Sequence, residues 1–165
     1  MTYLHTYVKH YLQDYFNFFL LVYDSIKKGE LMAITYLIPC TPVPWKRAGN
    51  CKGRYYDTQV HTKVSTGIYI KNQHDGTFFK NVPLLLTVTF YLPIPQSWSK
   101  KKKEEMAGKP MIFIPDTSNC VKFIEDVCTQ LLYEDDCLIS DIVAKKRYDD
   151  GKGPRTEFTI ERVTC

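Results

Sequence analysis

The run PLLLTVTFYLP, residues 83–93, constrains the fold more than any other stretch of this chain. β-Branched and aromatic side chains fill it and a proline closes each end, which predicts one strand with both limits set. A second pattern follows within a few turns. From 116 to 132 the apolar residues Val121, Ile124, Val127, Cys128, Leu131 and Leu132 gather on one side of a helical wheel. Asn119, Lys122 and Asp126 gather on the other, at spacing i, i+3, i+7. A strand that must be covered and a helix with one apolar face suggest sheet-on-helix packing.

The rest of the chain extends this order. Residues 33–39 read as a strand ending at Pro39, and CTPVPWKRAG as a proline-rich loop carrying Lys46 and Arg47. Residues 58–74 are weakly helical, and Asp75-Gly76 signals a turn. A loop with Ser97 or Ser99 as N-cap leads into a short helix. Residues 139–147 and 156–163 read as two closing strands separated by YDDGKGP. The expected fold is α+β: a single domain, a mixed β-sheet flanked by helices. Residues 3–23 add an aromatic-rich amphipathic pattern, an extra N-terminal helix. MAITYLIP, from Met32, reads as a natural start. Residues 1–31 are therefore expected to be either an appendage or the product of a start assigned too far upstream, and 32–165 the domain proper.

Composition narrows the function. At 165 residues the chain suits one domain with a real core, and 44% hydrophobic content fits a folded protein. The six cysteines show neither a CxxC pair nor dense disulfide spacing, and read as reduced thiols in an intracellular protein. The histidines do not join them in a zinc pattern. No apolar run of membrane-spanning length occurs, and no signal peptide is expected, because Asp14 and Asn17 break the aromatic stretch. The net charge of +4 is mild. Its distribution says more: Lys100, Lys101, Lys102 and Lys103 form one run, and Lys145, Lys146 and Arg147 a second. A basic rim around acids suits a nucleic-acid backbone, whereas a solvated surface is the plainer reading of one run alone.

The acids are Asp116, after Pro115, and the pair Asp135-Asp136. Each has an ordinary explanation, as helix cap or as turn. Together with Lys122 they form a set that suits phosphodiester chemistry: carboxylates hold Mg²⁺, and a lysine stabilises developing charge. That requires the strand start at 136 to lie beside the helix start.

SWSKKKKEEMAGKP, PDTSNCVKFIED, YEDDCLISDIVAKKRY and PRTEFTI, in this order and spacing, resemble the RusA family of Holliday junction resolvases. The resemblance runs from about residue 34 to 163. It implies a homodimeric, Mg²⁺-dependent endonuclease, with Mn²⁺ as an alternative ion, that binds four-way DNA junctions and nicks opposed strands. It further implies a cytoplasmic protein, bacterial or phage-encoded, acting in recombination or repair. Residue by residue, the family's first acid falls on Asp116, its asparagine on Asn119 and its lysine on Lys122. The helix aspartate falls on Asp126 and the acid pair on Asp135 and Asp136. Lys145 or Lys146 takes the place of the strand lysine.

Asp116 and Asp136 are the implied metal ligands. Asn119, Asp126 and Asp135 support them. The basic residues Lys46, Arg47, Lys100–Lys103, Lys145, Lys146 and Arg147 are expected on DNA phosphates.

One position departs from the pattern. The family's second aspartate is Ser118 here, and Ile114 replaces the lysine before the proline. Ser118 keeps an oxygen and loses a charge. Three outcomes stay open: a metal site with Ser118 as a weak ligand, recruitment of another acid, or a junction-binding protein that does not cut. For recruitment, Glu134 is expected beside the site, and Glu125 to point elsewhere on the wheel. A basic α+β binding module whose acids are only caps and turns is the reading outside the family.

Overall fold

The computed structural model describes residues 34–163. The helix expected over 3–23 lies outside them. The described chain runs β1 (Tyr36–Ile38), β2 (Gly49–Cys51), β3 (Arg54–Tyr56), α1 (Val60–Gln73), β4 (Leu84–Leu92), α2 (Lys100–Met106), α3 (Thr117–Cys128), β5 (Ile139–Tyr148) and β6 (Arg155–Arg162), with a single 3-10 turn at Asp136–Leu138.

β4 is the anticipated proline-bounded strand, and it lies inside the sheet. The strand order is β1-β6-β4-β5. β5 runs parallel to β4, whereas β6 runs antiparallel to both β4 and β1. The sheet is therefore mixed. A parallel neighbour needs a crossover, and α2 and α3 supply it between β4 and β5. The two closing strands do not pair with each other. They flank β4, and the Asp149–Pro154 loop carries the chain past its end, where Asp149 N donates to Leu92 O at 2.7 Å.

Side chains alternate along β4. Leu84, Leu86, Val88, Phe90 and Leu92 are buried, and the residues between them are half-exposed. The buried face meets Cys120, Val121, Phe123, Ile124 and Val127 of α3 and Ile70 of α1 in one core cluster. Fully burying such a side chain contributes about 1.5–3 kcal/mol, so this face dominates the energetics of the fold. Cys128 is buried, as its place on the apolar face predicted, and Phe123 joins it.

Two boundaries differ from the sequence expectation. The first strand is only three residues long. The main helix ends at Cys128 rather than 132, because Gln130 takes a positive φ of 62° and the Thr129 hydroxyl turns back to donate to Glu125 O. Leu132 still reaches the core from the following loop.

Arg155 locks the far end of the sheet. It is buried, it lies 3.7 Å from the Tyr91 ring, and it donates to both carboxylate oxygens of Asp150 at 2.8 and 2.9 Å and to Glu157 at 2.6 Å.

Candidate active site on the polar face of α3

α3 begins at Asp116. The residue has the extended backbone of an N-cap, but its side chain makes no capping hydrogen bond. An aspartate here ordinarily satisfies free backbone N–H groups. Asp116 leaves its carboxylate uncommitted. Asp135 does the opposite: its side chain accepts from Cys137 N at 2.9 Å and caps the 3-10 turn. Asp136, the next residue, is exposed. Neither Asp116 nor Asp136 forms an ion pair among the described residues.

The lysines of the second basic cluster divide. Lys146 reaches the turn before α3, where its ammonium donates to the carbonyls of Phe113 and Pro115, the latter at 2.7 Å. It thus stands beside Asp116, and both charges act on the buried Cys120 thiol. Burial, the larger effect, pushes that thiol up to about 11. Arg147 donates to Gly108 O at 3.0 Å and ties the end of α2 to β5. Lys145 is exposed. Between the two alternatives for the strand lysine, Lys146 is the one adjacent to the first acid.

Lys122 lies 4.1 Å from the centre of the Trp45 ring. Trp45 N donates to Asn119 O at 2.8 Å, so the proline-rich loop lies across the polar face of α3. Gln59, only 4% exposed, holds that loop from behind: its Oε1 accepts from Lys46 N at 2.6 Å and its Nε2 donates to Pro44 O at 3.0 Å. Asp126 is not free. Lys63 of α1 bridges it to Asp57, at 2.9 and 2.8 Å.

The Glu125 carboxyl is held above the usual carboxylate range, first by burial and then by the Asp136 and Asp126 charges, with Lys122 acting the other way. The Tyr133 hydroxyl donates to Glu125 O at 3.0 Å and draws the 133–136 segment onto this turn of α3. The Asp136 charge on the returning chain thus acts on Glu125. Glu134 is exposed, with its backbone paired to Phe79.

The four lysines of residues 100–103 form the first turn of α2, capped by Ser99, whose hydroxyl oxygen accepts from Lys102 N. A helix turns about 100° per residue, so they point in different directions. Lys102 stacks 4.1 Å from the Trp98 ring, and Lys100 approaches Glu104.

Among the described residues no three His, Cys, Asp or Glu side chains converge on one point. The available donors, Asp116 and Asp136, are hard carboxylate oxygens. Such oxygens are the donor type that hard divalent cations take.

Sequence reasoning missed Trp45, Gln59 and Lys63. Trp45 had a signal, a lone tryptophan between two basic residues and a Pro-x-Pro. Gln59 and Lys63 had none, since their partners lie far away in the chain.

A two-layer α+β domain with uncommitted carboxylates and lysines about one helix has the residue set of a phosphodiester-cleaving protein. The family model for endodeoxyribonuclease RusA matches residues 39–161, and the chain belongs to that family. It is 34% identical over 110 residues to the crossover junction endodeoxyribonuclease RusA of Lactococcus phage r1t, covering 66% of this chain and 79% of the phage protein. It is 33% identical over 100 residues to the uncharacterised protein YqaN of Bacillus subtilis strain 168, covering 58% of this chain and 69% of that protein. Among the described residues, no helix is long and apolar enough to cross a membrane.

Proposed function

We propose that this protein is a Mg²⁺-dependent endonuclease that binds four-way DNA junctions and nicks opposed strands as a homodimer. The observation that carries the reading is the carboxylate of Asp116. It occupies a capping position, makes no cap, and stands beside Lys146 at the mouth of α3. Family membership and the likeness to the phage crossover junction enzyme support the substrate.

Asp116 and Asp136 would hold the metal, with Ser118 as a neutral or water-bridged neighbour and Mn²⁺ as a substitute ion. Bound Mg²⁺ supplies charge neutralisation on the phosphate and an acidified water. The chain's own residues do the rest. Lys122 places positive charge on the same helix face, where it offsets charge developing on the phosphate. Trp45 restrains that ammonium from one side. Asn119 is fixed through its carbonyl, and Asp126 anchors α1 through Lys63. Asp135, by capping its turn, holds Asp136 at the start of β5. Nicks on opposed strands require two sites, which a second copy supplies.

A second reading rests on a specific observation: among the described residues no three ligand side chains converge, and Ser118 has no charge. On that reading the fold binds junctions and does not cut them.

Cleavage of a labelled synthetic four-way junction decides between the two. Wild type, Asp116→Asn and Ser118→Asp are compared in Mg²⁺ and in EDTA. The first reading expects wild-type nicking in Mg²⁺ alone and none from Asp116→Asn. Wild-type binding without nicking, restored by Ser118→Asp, would establish the second.

A further inference from the structure

The β2–β3 hairpin stands on the candidate site and is not part of the core sheet. Its two residues of turn, Lys52 and Gly53, have φ of 53° and 81°. Positive φ at both positions is the type I′ geometry that matches strand twist, so this is a built hairpin with a defined register. Gly53 N donates to Asn50 Oδ1 at 3.1 Å.

Its two faces differ. Gly49 pairs with Tyr56, and the Tyr56 ring lies so close that a Cβ at 49 would sit 2.5 Å from it. Tyr56 therefore covers a glycine across the strands, a structural use. Asn50 pairs with Tyr55 on the opposite face. There Tyr55 is 77% exposed. An exposed aromatic side chain on a two-stranded arm is not needed by the core.

Charge and attachment say what it meets. Residues 45–56, WKRAGNCKGRYY, contain Lys46, Arg47, Lys52 and Arg54 and no acid. One foot of the hairpin rests on α3, and the other is linked to it through Lys63 of α1. Trp45 lies against Lys122 and Asn119, and Asp57 is joined through Lys63 to Asp126. Lys46 N and Gln59 Oε1 tie the feet together. Basic side chains track phosphates, while an exposed ring offers a platform to a base that has left its stack. In duplex DNA such a base is not available. At an open branch point, where the arms are not stacked end to end, the faces of the bases at the crossover are.

We propose that the Gly49–Tyr56 hairpin is a branch-sensing arm, with Tyr55 stacking on an unstacked base at the crossover and Lys52 and Arg54 on the flanking phosphates. This rests on the junction reading above and adds the residue that discriminates branched from linear DNA.

The test uses the full chain in EDTA, so that cutting plays no part. A four-way junction carries 2-aminopurine beside the branch, and a linear duplex of the same arm sequence is the comparison. Wild type, Tyr55→Ala and Tyr55→Trp are titrated, and sedimentation is run on each. Loss of one stacked base is expected to weaken junction binding by roughly 5- to 150-fold in Tyr55→Ala. Duplex affinity stays the same, Tyr55→Trp retains tight binding, and the 2-aminopurine signal changes only with the aromatic variants. Equal junction binding by wild type and Tyr55→Ala overturns the arm while leaving the junction reading intact. A dimer that becomes a monomer in Tyr55→Ala also overturns it, since the ring then covers a second copy. If wild type binds the junction no better than the duplex, the junction reading fails and the arm fails with it.

Discussion

Lys146 and Pro115 are joined by a 2.7 Å hydrogen bond from the lysine ammonium to the proline carbonyl, so a strand side chain fixes the turn that presents Asp116. Lys146→Met removes a charged donor from two carbonyls. Such bonds contribute about 1.5–3 kcal/mol each to charged partners, less where water can replace them. Thermal melting is expected to show a loss of about 1–2 kcal/mol. Nicking should fall further than junction affinity does. Equal losses in both would mean that Lys146 serves DNA contact and not the turn.

Lys63 links α1 to α3 through Asp126 at 2.9 Å and to the hairpin foot through Asp57 at 2.8 Å. The pair with Asp126 is partly buried, so Asp126→Asn is expected to cost about 1 kcal/mol. Amide exchange in residues 46–57 should quicken while β4 stays protected. Unchanged exchange there would separate the hairpin from this ion pair.

Glu125 carries a raised carboxyl pKa, caused by burial and then by Asp136 and Asp126. A raised folded-state value means the native state binds the proton more tightly than the unfolded chain. Stability is then lost as pH rises from the ordinary carboxylate range through the raised value. Glu125→Gln removes that loss. The variant should match wild type near pH 4 and melt higher at pH 7. A melting difference that is constant with pH would place Glu125 away from those charges.

Asp150 has its pKa lowered to about 2, chiefly by the Arg155 hydrogen bonds. Here the sign is opposite: the contribution is present above the ordinary aspartate value of about 3.9 and fades as pH falls towards 2. Asp150→Asn is expected to lower the melting temperature at pH 7 and to converge with wild type near pH 2. Arg155→Met should cost more, about 2–3 kcal/mol, because the buried guanidinium also serves Glu157 and Tyr91.

Lys145 and Arg147, two residues apart on β5, should behave differently in salt titrations of junction binding. Lys145 is exposed, and neutralising it is expected to flatten the log–log salt slope by about 0.9 if it meets one phosphate. Arg147 is bonded to Gly108 O, so its removal should lower stability and leave the slope nearly unchanged. Binding of wild type that is insensitive to salt would discard the basic-rim argument altogether.

What local patterning can encode was legible in the amino-acid sequence. The β-branched and aromatic run of 83–93 between two prolines marked β4, and the apolar stripe of 116–132 marked the face of α3 that enters the core. The order and spacing of the short motifs also sufficed to indicate the family. Which charged groups are free depends on contacts between segments distant in the chain. Asp116 and Asp135 are both acids at cap positions, yet only Asp135 caps. Lys145 and Lys146 are neighbours, yet strand alternation sends only Lys146 to the turn before α3. The Glu125 carboxyl is raised by burial and by the Asp136 charge, which a wheel of one helix does not contain. Lys63 and Gln59 gave no local sign, because their partners are contributed by segments distant in sequence. A side chain's propensity is set by its neighbours along the chain, whereas its charge state and availability are set by whatever folds against it.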